Sequence, residues 1–193
     1  MMKPLDILLL SIAIGLTSFT VYVFCADGAP AAAAAAAEAP APAPRNPAFK
    51  SIVIHHSATH GGSAAAFDRN HKPRLGGLAY HFIIGNGSGC PDGEVETGYR
   101  WRDQVPGPHT KNQEINAESI AICLVGDFQS APPTRRQLAA LLELLERLSA
   151  ECGIPPERIR SHREVDPETL CPGRALPMDG IRSAFRADCT RKP

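Results

Sequence analysis

At 193 residues, with 20 Lys and Arg balanced by 20 Asp and Glu, the chain is long enough for one domain plus an appendage. The near-neutral balance persists in the part after Arg45, so the basic stripe that nucleic-acid binding requires is missing and that class is excluded. Six cysteines with no CxxC pair and no dense spacing argue against a disulfide-framed miniprotein, and leave the pairing of Cys90, Cys123, Cys152 and Cys189 open.

Residues 1–27 read as an export segment. From Ile7 to Ala26 there is no charge, and about 20 apolar residues is the length that crosses a bilayer as a helix. Bulky Tyr22, Val23 and Phe24 close the run without an A-x-A-like cleavage site, which favours an uncleaved signal anchor over a cleaved signal peptide. Residues 28–46 form an Ala/Pro-rich tract with few side chains able to build a core, and its Pro-rich end suits an extended spacer. The folded domain is therefore expected over 47–189, anchored in the membrane and facing the periplasm or cell wall, or secreted if the first segment is removed.

The domain opens on SIVIHHSATH, Ser51 to His60, an apolar β-branched strand that ends on two imidazoles. Ser63 can cap a helix through AAAFDRNH, and LAYHFII from Leu78 to Ile84 reads as a second strand. GNGSGCPDGE is turn chemistry, SIAICLVG from Ser119 to Gly126 is a third strand, and PPTRRQLAALLELLERLSAECG is a helix. In that helix Thr134 and Gln137 form a capping box, Leu138, Leu141, Leu142, Leu145 and Leu148 share a face, and Gly153 supplies the stop. A last strand around RIRSH and a closing helix MDGIRSAFRADC complete an α/β domain with a central mixed sheet flanked by helices.

His55 stands at the end of one strand and His162 at the end of another, with Cys171 in a Pro-flanked loop shortly after. Two imidazoles and a thiolate are a three-ligand zinc set that leaves a fourth position open for water, the pattern of catalytic zinc. Spacing alone does not decide the matter: strand-end histidines are also common core or surface residues. His56 rivals His55, because neighbouring strand residues face opposite sides and only one can reach a common centre. By the same alternation His81 points away from whatever Tyr80 faces. His60 and His71 read as surface residues, and the single Trp101 as core.

The blocks IHHSAT, AYHFIIGNG, GPHT, IAICLVGDF and SHREVDPETLCPG, in that order between Lys50 and Phe185, resemble the zinc-dependent N-acetylmuramoyl-L-alanine amidases, the family that includes T7 lysozyme and the peptidoglycan recognition proteins. The resemblance implies that fold, one zinc per chain on His55, His162 and Cys171, and a catalytic role for Tyr80. Thr169 falls where the phage enzymes carry lysine and the active recognition proteins threonine. His109 resembles the family's groove-lining histidine and Asn116 its companion, either touching substrate or structuring the loop. The implied partner is peptidoglycan, met by a monomer. The alternative in the same fold is a peptidoglycan-binding receptor without activity, but such members commonly lack the cysteine ligand that Cys171 matches. The Gly-rich stretch from Gly87 to Pro108 is longer than expected for the family and suits a selectivity loop. Glu164, Asp166 and Glu168 sit together in one loop, with no carboxylate in the early strands to partner them across a glycosidic bond.

Overall fold

A computed structural model describes residues 49–189. The anchor segment and the Ala/Pro tract lie outside the described residues; among those described, no helix is long and apolar enough to cross a membrane. The elements run β1 (Ser51–His56), α1 (Ala64–Leu75), β2 (Phe82–Ile84), β3 (Val95–Thr97), α2 (Tyr99–Arg102), α3 (Gln113–Glu118), β4 (Ser119–Leu124), α4 (Arg135–Cys152), a 3-10 turn (Pro156–Arg158), β5 (Ile159–Ser161), α5 (His162–Val165) and α6 (Met178–Cys189).

The described strands form one sheet in the order β3-β2-β4-β1-β5. β1 lies parallel to β4 and β5, β2 lies parallel to β4, and the β2-β3 pair is antiparallel, so the sheet is mixed. Strand alternation divides its faces. Ile52, Ile54, Phe82, Ile84, Ile120, Ile122 and Leu124 turn to α4 and α6 and build the larger core with Leu141, Leu145, Leu148 and Phe185. Ile83 and Cys123 turn the other way, to a smaller cluster with Phe67 of α1 and Leu78. On that second face stand His55, Ser119 and Cys123, all buried.

The Thr134–Gln137 capping box is present, and Ser63 caps α1 through the Ala66 N–H. Leu138 and Leu142 are only partly buried; the covered face of α4 is Gln137, Leu141, Leu144, Leu145 and Leu148. Gln137 belongs there because its amide donates to the carbonyls of Ile84 at 3.1 Å and Val125 at 2.8 Å, which lie just where β2 and β4 stop pairing. An unmet buried carbonyl is costly, so a polar residue outcompetes a leucine at this point.

Two expected strands are shorter than read from sequence. β2 starts at Phe82 rather than Leu78, because the N–H groups of Leu78 and Ala79 are taken by Asp68 Oδ1 at 2.8 Å and His71 Nδ1 at 3.2 Å, both on α1, in place of ladder bonds. β4 ends at Leu124 rather than Gly126, whose φ of 147° favours glycine. The stretch expected as a loop between Gly87 and Pro108 contains β3 and α2, and Trp101 of α2 is buried against Phe82, ring centroids 5.0 Å apart. Cys90, Cys123, Cys152 and Cys171 are free thiols.

Candidate metal centre

His55 is the penultimate residue of β1 and is 1% exposed. His162 is the first residue of α5 rather than the end of a strand, because Ser161 and Glu164 form a capping box that starts a helix there. Cys171 is folded back to both by Arg163, whose backbone N–H donates to the Cys171 carbonyl at 2.9 Å and whose Nε donates to the Thr169 carbonyl at 3.1 Å. One ligand atom from each of His55, His162 and Cys171 lies within 4.8 Å of the others. His56 stays outside this group: its Nδ1 accepts the Phe128 N–H at 3.1 Å on the opposite face.

The donors fit zinc. An imidazole nitrogen at about 2.0–2.1 Å and a thiolate at about 2.3 Å from one tetrahedral zinc lie about 3.5 Å apart, and His55 Nδ1 is 3.7 Å from Cys171 Sγ. His162 Nε2 is buried with no hydrogen-bond partner, its nearest carboxylate oxygen being Asp166 Oδ2 at 3.8 Å. Burial, then the neighbouring imidazoles of His109, His162 and His56, hold the His55 ring well below the ordinary histidine value. Burial pushes the Cys171 thiol up to about 12, with the His56 N–H opposing it. The group is thus a set of neutral donors, and a cation is what would draw the proton from the thiol.

Tyr80 leaves the loop before β2 with its ring 5.2 Å from that of His55. Burial, followed by the Cys123 and Cys171 sulfurs, raises its phenol well above the usual value. It is therefore a hydrogen-bond donor near neutral pH and not a base. His71 stands behind it, edge-on at 5.5 Å and stacked on Phe67 at 6.2 Å. His71 is half-buried and not the surface residue expected from sequence; His60 is exposed as expected.

Thr169 is half-buried, and its Oγ1 accepts the Cys171 N–H at 3.2 Å, which leaves its own proton free. It lines a groove of about 350 Å³ with His109, Lys111, His162, Asp166 and Glu168. Both His109 ring nitrogens are engaged, Nδ1 with His55 Nε2 at 3.0 Å and Nε2 with Ser119 Oγ at 3.1 Å. Asn116 is spent on its own loop: Oδ1 accepts from the backbone of His109 and Thr110 and from Thr110 Oγ1, and Nδ2 donates to the Thr110 carbonyl. His81 is fully buried, Nδ1 accepting the Ala121 N–H at 2.9 Å and Nε2 facing the Val105 carbonyl at 3.1 Å. Ser119, Cys123 and His71 escape a reading of the sequence, because what marks them is cross-strand register and helix packing rather than any motif.

A mixed-sheet α/β domain with two imidazoles and a thiol gathered around one point, beside a buried tyrosine, is of the class that can hold a metal ion in an open site. The family model described as N-acetylmuramoyl-L-alanine amidase matches residues 44–174, and the chain belongs to that family. Peptidoglycan recognition protein 1 of Mus musculus is 38% identical over 114 residues, 55% of this chain and 55% of that protein. N-acetylmuramoyl-L-alanine amidase of Homo sapiens is 29% identical over 120 residues, 61% of this chain and 19% of that protein. The chain thus spans about half the length of the mouse and rat recognition proteins and less of the human amidase. Among solved structures, the amidase LysC from Clostridium intestinale aligns with a TM-score of 0.61 at 26% identity, covering 75% of this chain and 91% of that one. Peptidoglycan recognition protein LE, solved with tracheal cytotoxin, aligns with a TM-score of 0.59 at 27% identity, covering 74% of this chain and 84% of that one.

Proposed function

We propose that this domain is a zinc-dependent amidase that hydrolyses the bond between the lactyl group of N-acetylmuramic acid and L-alanine in peptidoglycan. The observation that supports it most is the convergence of His55, His162 and Cys171, with the Tyr80 ring against His55. When bound there, zinc polarises the amide carbonyl and activates water at neutral pH.

The chain's own residues supply the remainder. Tyr80, protonated and buried, donates to the carbonyl oxygen as it gains negative charge, and the free proton of Thr169 offers a second donor from the groove wall. A water oxygen bonds to the carbonyl carbon as the amide C–N bond breaks, and a proton of that water passes to the nitrogen, so the lactyl group leaves as a carboxylate and L-alanine with a free amine. The groove past Thr169 and Lys111 takes the chain of the substrate.

Incubating the full-length protein with purified peptidoglycan, with and without a chelator, tests this reading. Peptides with a new free amino group on L-alanine and no new reducing ends are expected, and the chelator should abolish their release. Disaccharide-peptides with fresh reducing ends, or peptides cut between amino acids, refute it. The recognition-protein relatives favour a second reading, a peptidoglycan-binding receptor without activity. In that case the protein sediments with insoluble peptidoglycan and releases nothing. The uncharged run from Ile7 to Ala26 supports placing the enzyme outside the membrane on a tether. Retention in the membrane fraction through a high-salt wash, with an N-terminus before Ile7, checks that placement.

A further inference from the structure

A line of hydrogen bonds on the buried site face of the sheet ends on a candidate ligand. Ser119 Oγ is 2.5 Å from the Ile115 carbonyl oxygen and 3.1 Å from His109 Nε2, and His109 Nδ1 is 3.0 Å from His55 Nε2. Ser119 lies four residues before Cys123, the register partner of His55, and the His109 ring bridges that gap.

The far end of the line dictates where every proton sits. Two oxygens 2.5 Å apart must share a proton, and a carbonyl has none, so the hydroxyl proton of Ser119 is spent on Ile115. Ser119 therefore meets His109 as an acceptor, and His109 Nε2 carries the hydrogen. Both imidazoles are buried and lie against other imidazoles, which favours the neutral form with a single N–H. His109 Nδ1 is then bare and accepts from His55 Nε2–H. What remains on His55 is a lone pair at Nδ1, the atom 3.7 Å from Cys171 Sγ.

We propose that Ser119 and His109 are positioning residues that fix His55 as its Nε2–H tautomer, so that Nδ1 is presented to zinc before the metal arrives. The inference rests on the zinc reading above. Exposures of 0% for Ser119, 6% for His109 and 1% for His55 keep water from reordering the line. Outer bonds of this kind typically change metal affinity about 10- to 100-fold, because they set the ring's tautomer, orientation and basicity.

The test uses the full-length chain labelled with ¹⁵N. In the metal-free protein, long-range ¹H–¹⁵N correlations are expected to show His55 with a proton-bearing Nε2 and a bare Nδ1. Ser119→Ala removes the hydroxyl that the His109 N–H meets; zinc affinity, read by competition with a chelating dye, should fall about 10-fold and the His55 signals should report mixed tautomers. Ser119→Thr keeps the hydroxyl and should restore both. A wild-type His55 with its proton on Nδ1 overturns the inference, as does Ser119→Ala with unchanged affinity and tautomer. If Ser119→Ala does not fold, the wild-type spectrum decides alone. A chain that takes up no zinc yet shows the expected proton order refutes the zinc reading and leaves the proton order standing; one that takes up zinc with an Nδ1–H His55 refutes the inference alone.

Discussion

His55 and His56 are chain neighbours that serve opposite faces of one sheet: the first turns its Nδ1 to Cys171 Sγ at 3.7 Å, the second gives its Nδ1 to the Phe128 N–H at 3.1 Å. Their alanine variants should therefore separate cleanly. His55→Ala is expected to lose zinc while remaining folded. His56→Ala should keep one zinc per chain and melt lower, since an unmet buried N–H costs about 1–3 kcal/mol. Metal analysis after gel filtration, beside thermal melts, reads both; the opposite pattern would reassign the ligand.

Tyr80→Phe removes one oxygen and keeps the ring packed between His55 and His71. Zinc content and melting temperature should change little, while turnover of peptidoglycan falls about 10²- to 10³-fold, the usual cost of one oxyanion donor. Turnover within a few-fold of wild type would take the phenol out of the mechanism.

The helix α4 was legible from its capping box and leucine spacing, and β1 and β4 from their apolar runs, because those signals are local. His162 opens a helix and does not close a strand: Ser161, within RIRSH, is at once the end of β5 and the cap that Glu164 completes. The apolar run LAYHFII reads as strand through Tyr80, and nothing local reveals that Asp68 and His71 of α1 claim the preceding N–H groups. The importance of Ser119 and Cys123 follows from their sharing a face with His55, which requires the β1-β4 register and cannot be counted along the chain. The candidate ligands can be named because motif blocks carry them; the groups that pack around them come from the fold.

Acid should loosen the fold through His81. Burial is the main cause that lowers its pKa from 6.5 to about 4. The unfolded chain thus takes a proton near pH 6.5 that the folded chain refuses until about pH 4. Between those values the unfolded state binds more protons, so stability is fully present above pH 6.5 and is lost as pH falls towards 4, by about 3 kcal/mol for this one group. His81→Asn should be less stable at pH 7, having lost the bond to the Val105 carbonyl, but should lose less stability than wild type across that window. Denaturant midpoints at pH 7 and pH 4.5 measure the difference; parallel losses in the two proteins would remove His81 as a cause of acid sensitivity.

Asn116 distinguishes a loop brace from a substrate contact. Its side-chain oxygen accepts at 3.2 Å from the His109 N–H, at 2.8 Å from the Thr110 N–H and at 2.9 Å from Thr110 Oγ1, while its nitrogen donates at 2.9 Å to the Thr110 carbonyl. These bonds fix the backbone from which His109 reaches His55. Asn116→Ala should cost about 2 kcal/mol, since several bonds go but water recovers part of them, and the melting temperature should drop by roughly 5 to 8 °C. Zinc affinity should weaken as well, because the His109 ring loses its footing. Asn116→Asp keeps the accepting oxygen but sets a carboxylate oxygen against the Thr110 carbonyl that Nδ2 meets at 2.9 Å, so it too should lower both measures. A substrate contact predicts another pattern: unchanged melting and zinc binding with a raised KM in both variants. Melting curves and dye-competition titrations therefore decide the role of Asn116 without any turnover being measured, and a normal melt for Asn116→Ala would return it to the substrate groove.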